Sequence, residues 1–216
     1  MSAAPFVGVV RVLTTSDQEL LTAHGRAITD EHGIATRSVC IPDQPHGVFD
    51  PDSHAAAAPK IVAESVALAE SGAAAIVISC AADPALAEAR AAVPVPVLGA
   101  GSTSAAVAAA VSNDVGVLGI NDQAPEAVSA VLGSRLVAYR RPEGVRKTTD
   151  LLTEQGRRAS LAAVGALVDD GASTILFSCT GLTSIALGPE ARAAWSVPVV
   201  DAVRATGSIA ALHVAR

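Results

Sequence analysis

The sequence predicts an α/β protein made of two similar doubly wound parallel-sheet units related by pseudo-two-fold symmetry. Three observations carry that prediction. Short apolar runs rich in valine and isoleucine alternate with alanine-rich stretches of helical length, the pattern of a parallel sheet with crossover helices. Several landmarks recur in the same order in both halves of the chain, which marks a duplication. One of these landmarks ends in a thiol: Gly72-Ala-Ala-Ala-Ile-Val-Ile-Ser-Cys80 is written again as Gly171-Ala-Ser-Thr-Ile-Leu-Phe-Ser-Cys179, 179 − 80 = 99 positions later.

Taken in order, Val7 to Leu13 reads as a central strand, apolar except at Gly8 and Arg11. Thr14-Thr15-Ser16-Asp17 can cap a helix over Gln18 to Glu31, with His32-Gly33 as its stop. Thr36 to Ile41 is a second strand, and Pro42-Asp-Gln-Pro-His-Gly47 carries turn chemistry. A long helix is expected from Ala55 to Glu70 and a third strand from Ala74 to Ser79. Asp83-Pro84 looks like an N-cap followed by a proline at the first helical position. Val95 to Leu98 is a fourth strand, closed by Gly99-Ala-Gly-Ser102 and a helix to about Val111.

The second half restarts at Val115-Gly-Val-Leu-Gly-Ile120, which mirrors Val7-Gly-Val-Val10. Pro142-Glu-Gly-Val145 mirrors Pro45-His-Gly-Val48, and a helix from about Thr149 to Val168 mirrors the one from Ala55. Thr174 to Ser178 is the strand before Cys179, Asp169-Asp170-Gly171 the turn before it, and Val197-Pro-Val-Val200 mirrors Val95-Pro-Val-Leu98. The expected units are 1–112, whose last helix can cross over to the other unit, and 113–216, with a cleft between them. Both cysteines fall at carboxyl ends of strands, where such folds hold their ligands.

Composition narrows the function. The chain has 216 residues, half of them apolar, enough for a core that needs no disulfide. A net charge of −6 without a basic cluster argues against nucleic acid, and the 2% aromatic content offers no stacking platform. Met1-Ser-Ala-Ala-Pro5 has no basic region and no apolar run approaches membrane-spanning length, so a soluble cytoplasmic protein is expected. The three cysteines, Cys40, Cys80 and Cys179, have no metal-ligand spacing; free thiols and no metal are expected.

Two thiols at the starts of helices would have lowered pKa values and neighbouring N–H groups able to hold an enolate oxygen. Facing each other, they would supply a base on one side of a carbon acid and an acid on the other, inverting the centre without a cofactor. Cys40 reads as packing. Thr14 and Thr15 read equally well as substrate donors and as caps, while Thr180 reads as a site residue beside Cys179. Asp83 reads as a cap rather than a base. Gly99-Ala-Gly-Ser102 lacks the Lys-Ser/Thr of a phosphate loop. The scattered histidines (His24, His32, His46, His54, His213) default to surface or capping roles.

With these residues in view, the sequence resembles the cofactor-independent aspartate/glutamate/hydantoin racemase superfamily over nearly its whole length. The resemblance rests on Cys80 with Asp83-Pro84, Cys179 with Thr180-Gly181, and the Pro-Val strands at Val95 and Val197. It implies two α/β domains around one site, Cys80 and Cys179 as acid and base, and a small carbon acid as substrate. It implies substrate-binding roles for Ala81, Ala82, Thr180, Gly181 and Ser102, with Thr14 and Thr15 added from their position. Ala81-Ala82-Asp83 is nearer the hydantoin racemase pattern than the Asn-Thr of the amino-acid racemases. Leu13-Thr14-Thr15 replaces the hydantoin racemases' Asn-Pro-Asn, and Ser102 replaces their glutamate, so the chain resembles a divergent branch nearest them. The arginines Arg140, Arg141 and Arg146 fall in a loop with no assigned role. A maleate-type cis–trans isomerase is the alternative within the superfamily, ahead of a one-cysteine decarboxylase; a non-catalytic binding protein is the alternative outside it. A homo-oligomer, a dimer by default, is expected.

Overall fold

The computed structural model describes residues 4–214. Eight strands form two four-stranded parallel sheets of matching order. In the first, β1 (Phe6–Arg11) and β3 (Ala73–Ser79) are central, flanked by β2 (Thr36–Cys40) and β4 (Val97–Gly99). In the second, β5 (Val115–Leu118) and β7 (Thr174–Phe177) are central, flanked by β6 (Leu136–Arg140) and β8 (Val199–Asp201). The nine helices of the described residues are α1 (Gln18–His32), α2 (Pro51–Glu70), α3 (Leu86–Ala92), α4 (Ala100–Val111), α5 (Glu126–Leu132), α6 (Glu154–Asp169), α7 (Gly181–Ser184), α8 (Leu187–Trp195) and α9 (Ala202–Ala211). None is long and apolar enough to cross a membrane.

Each sheet is covered on both faces, and the strands read accordingly. Val7 and Val9 of β1 pack with Ile28 of α1 and Val203 and Ala210 of α9, while Phe6 and Val10 pack with Ile61 and Leu68 of α2. The second sheet repeats this: Val115 and Val117 meet Ala105 and Ala108 of α4 and Val128 and Leu132 of α5, and Leu118 meets Val164 and Leu167 of α6. The helix ending each half has therefore crossed over. α9, at the chain's end, packs on the first sheet, and α4, at the end of the first half, packs on the second. Gly8 and Gly116 occupy equivalent places in β1 and β5. A Cβ at Gly8 would sit 2.8 Å from Leu68 Cδ1, and one at Gly116 would sit 3.1 Å from Leu167 Cβ, so the same close helix–strand approach is built twice.

Several boundaries differ from the sequence reading for identifiable reasons. α2 begins at Pro51, four positions before Ala55, because Asp50 caps it and Ser53 returns the bond to the Asp50 N–H. The helix expected from Thr149 is a 3₁₀ turn (Thr148–Leu152) followed by α6, which starts afresh at Glu154 with Thr153 as its cap. Residues 121–141, to which the sequence reading gives no element, hold α5 and β6; Arg140 therefore ends a strand.

The largest local correction concerns Asp83. It does not start α3, whose N-cap is Ala85. Asp83 adopts φ 49° and turns its carboxylate onto the start of α4, accepting from the Gly101 N–H at 2.6 Å and the Ser102 N–H at 2.8 Å. α4 has no capping side chain of its own at Gly99, so the distant carboxylate satisfies its orphan donors. This explains the glycines of Gly99-Ala-Gly-Ser102. A Cβ at Gly99 would lie 2.3 Å from Asp83 Cγ, and one at Gly101 2.0 Å from the Ala81 carbonyl oxygen. The glycine-rich loop admits an aspartate, and with it the turn that carries Cys80.

Candidate active site

β3 and β7 are the strands that carry the thiols. Each is central and buried; β3 ends at Ser79, immediately before Cys80, and β7 ends at Phe177, two residues before Cys179. After each cysteine the chain turns sharply. The Asp83 N–H donates to the Cys80 carbonyl at 3.1 Å, and the Leu182 N–H to the Cys179 carbonyl at 3.1 Å. Both thiols are 8% exposed and line a single cavity between the halves. Arg11, Val12 and Leu13 close it from the end of β1, Ile120 and Asn121 from the end of β5. Gly47 and Thr148, from the two long loops, meet at its rim, where a Cβ on Gly47 would lie 3.0 Å from Thr148 Oγ1. The cavity is partly open to solvent and narrow, with a volume of about 30 Å³.

The electrostatics reverse one expectation. Burial pushes the Cys80 thiol up to about 12 and the Cys179 thiol up to about 11, whereas helix starts were expected to lower both. The opposing influence is present but smaller: N–H groups of Ala82 at Cys80, and of Gly181 and Leu182 at Cys179, favour the thiolates. The helix starts themselves are weak, because α7 has only four residues and Cys80 precedes a turn, with α3 beginning at Leu86. The neighbouring Cys179 raises Cys80 further. A raised thiol pKa means that the folded chain keeps protons an unfolded one loses above pH ~9. Alkylation of Cys80 and Cys179 by iodoacetamide is accordingly expected to be slower at pH 7 than that of an exposed thiol. Its rate should rise about tenfold per pH unit to at least pH 9; a plateau below pH 8 would contradict this.

The structure sorts the other site residues of the sequence reading. Ala81, Ala82, Thr180 and Gly181 line the thiol cavity. Thr180 Oγ1 donates to the Ser79 carbonyl at 3.0 Å, tying the two thiol-bearing segments together. Thr14 and Thr15 line a neighbouring cavity instead. Thr14 Oγ1 donates to Ile41 O at 2.6 Å and accepts from the Gln44 N–H, holding the loop after β2. Thr15 Oγ1 accepts from the Asp17 N–H, in the turn before α1, which Asp17 itself caps. Ser102 lines neither cavity and gives its N–H to Asp83. Arg140 pairs with Asp170 and Arg141 with Asp122, while the Arg146 N–H donates to Asp150; none of the three lines the thiol cavity. Cys40, at the end of β2, is half-buried beside Arg11.

Three site features lie outside the sequence reading. Arg11 is 2% exposed at the end of β1, and its position was legible as the one charge in an apolar strand. The Asn121 Oδ1 atom is buried in the cavity wall and has no hydrogen-bond partner among the described residues; it lies in the segment that follows β5. His24 is a correction, because it is 1% exposed and neither on the surface nor capping. Its Nδ1 lies 2.7 Å from Ser79 Oγ and its Nε2 3.0 Å from Ser184 Oγ, bridging the segment before Cys80 to the one after Cys179. Among the described residues no cluster of histidine, cysteine or carboxylate side chains is arranged to hold a metal ion.

A duplicated parallel α/β fold with one thiol from each half in a shared buried cleft defines the class of this protein. Within that class, the chain belongs to the Asp/Glu/hydantoin racemase family, whose sequence profile matches residues 14–210. Solved structures of the same fold include the allantoin racemases of Klebsiella pneumoniae and Pseudomonas fluorescens. The first is 19% identical, with a TM-score of 0.83 over 95% of this chain and 86% of that one. The second is 20% identical, with a TM-score of 0.81 over 95% and 88%. Glutamate racemase of Francisella tularensis, solved with D-glutamate, aligns at 12% identity with a TM-score of 0.67 over 95% of this chain and 79% of that one. No protein of curated function matches the chain by sequence.

Proposed function

We propose that this protein is a cofactor-independent racemase or epimerase in which Cys80 and Cys179 exchange protons with opposite faces of an activated Cα–H centre. The observation that carries the reading is the pair itself: two buried thiols from equivalent positions of the two halves, lining one narrow cavity. Opening that cavity to admit substrate brings water to the thiols and removes part of the burial that keeps them protonated. The N–H groups of Ala82, or of Gly181 and Leu182, then favour a thiolate on one side. That thiolate takes the Cα proton, the electron pair passes into the adjacent carbonyl as an enolate, and the opposite thiol returns a proton to the other face. The product leaves with inverted configuration and the two cysteines with exchanged protonation.

A hydantoin-type ring suits this site better than a free amino acid. Its carbonyl beside the reacting carbon acidifies the Cα–H, which lowers the demand on a site built mainly from small apolar walls. The unpartnered Asn121 Oδ1 supplies an acceptor for a ring N–H. Among the described residues, the cavity walls offer no carboxylate to hold the ammonium group of a free amino acid.

The test is solvent deuterium uptake at Cα, followed by NMR, for 5-substituted hydantoins, allantoin, aspartate and glutamate. Uptake with the ring compounds well above that with the free amino acids is expected. No uptake with any of them would overturn the reading.

A further inference from the structure

We propose that Arg11 reads a carboxylate on the substrate's side arm, so that the preferred substrate is a hydantoin bearing a short anionic substituent. The inference rests on the racemase reading for the ring and reacting carbon, and on separate observations for the arm. A guanidinium buried to 2% exposure ordinarily has a carboxylate beside it. Here Nη1 donates to the carbonyls of Leu20 and, at 3.1 Å, Leu21, and among the described residues no carboxylate pairs with Arg11. The neutral carbonyls fix the group in place and leave its charge uncompensated.

Arg11 lies in the walls of two neighbouring compartments. The thiol cavity and a neighbouring one of about 120 Å³ share Arg11, Leu13, Thr148 and Gly181 in their walls. The second compartment adds the hydroxyl-bearing residues Thr149 and Ser184 and the apolar Leu152. Among the described residues, Arg11 is the only charged one lining either compartment. A ring held between the thiols thus places an arm of one or two methylenes into the second compartment, with its terminal carboxylate at the guanidinium. Burial lowers the Arg11 pKa only to about 10, so the group remains a cation at neutral pH.

The experiment measures binding and turnover separately on the full chain, with hydantoin-5-acetate and its neutral isostere hydantoin-5-acetamide. Calorimetry on the wild type should give a preference for the carboxylate of about 10- to 100-fold, the range for a buried charge-assisted pair. Arg11→Met should bring the ratio to about one, and Arg11→Lys should retain part of it. A purely structural arginine, tying β1 to α1, would weaken both ligands alike and leave the ratio unchanged. Equal affinities in the wild type would overturn the proposal whether or not the variants fold, as would a preference that survives in Arg11→Met. Carboxylate preference without deuterium uptake at the ring carbon would remove the racemase reading and leave the anion site standing. Uptake from both compounds without preference would do the reverse.

Discussion

Replacing Cys80 or Cys179 with serine is expected to lower racemisation by about 10³-fold, and each replacement should silence one face of the substrate. A positioned acid or base contributes roughly 10²–10⁴-fold, and a hydroxyl is a far poorer proton donor and acceptor than a thiol. Inversion needs both groups, so either substitution stops it. Deuterium uptake needs only the base. With Cys80→Ser, the enantiomer whose Cα–H faces Cys179 should still exchange, while its mirror image should not; Cys179→Ser should show the opposite preference. The double substitution should abolish exchange for both. Serine is close to cysteine in size and can use the same N–H groups at Ala82, Gly181 and Leu182, so the variants should fold. Exchange of both enantiomers unaffected by either change would sink the two-thiol mechanism.

That pairing was legible because a duplicated motif places its chemistry twice. The glycine turns that precede the thiol strands recur as backbone geometry, with Gly72 at φ 93° and Gly171 at φ 94°, and so do Gly47 and Gly144, both at φ 75°. What the sequence hid depends on contacts between segments far apart in the chain. Asp83 carries a local N-cap signature, but the helix it caps begins 17 residues later at Ala100, and no local pattern can report that choice. β6 is a short edge strand, Leu-Val-Ala-Tyr-Arg, with no fully buried residue, so it stands out less than the buried central runs. The pKa direction of the thiols follows from closure of the cleft, which burial decides and a motif does not. His24 sits in a helix with ordinary amphipathic spacing, and only the packing of α1 against both thiol segments makes it central.

His24→Ala should cost about 3 kcal/mol of stability, because it leaves the buried Ser79 hydroxyl and the Ser184 hydroxyl without their shared partner and opens a hole between the halves. For a chain of this size that is a fall in Tm of roughly 6–12 °C. The pH dependence distinguishes this from generic damage. Burial, and secondarily the Arg11 charge, hold the imidazole pKa well below its usual 6.5, while a backbone hydrogen bond at Thr180 opposes them weakly. The folded protein therefore keeps His24 neutral where the unfolded chain would protonate it. The stability tied to a neutral His24 is fully present above pH ~6.5 and is lost as pH falls, by up to about 1.4 kcal/mol per unit, until the folded-state pKa is reached. Other titrations are common to wild type and variant and cancel in their difference. Urea unfolding at pH 7.5, 5.5 and 4.5 should thus show the gap between wild type and His24→Ala narrowing as pH falls. A constant gap would mean that the imidazole is not held neutral. Over that range the folded protein keeps His24 neutral, so the bridge from Ser79 to Ser184 persists while the stability gap narrows.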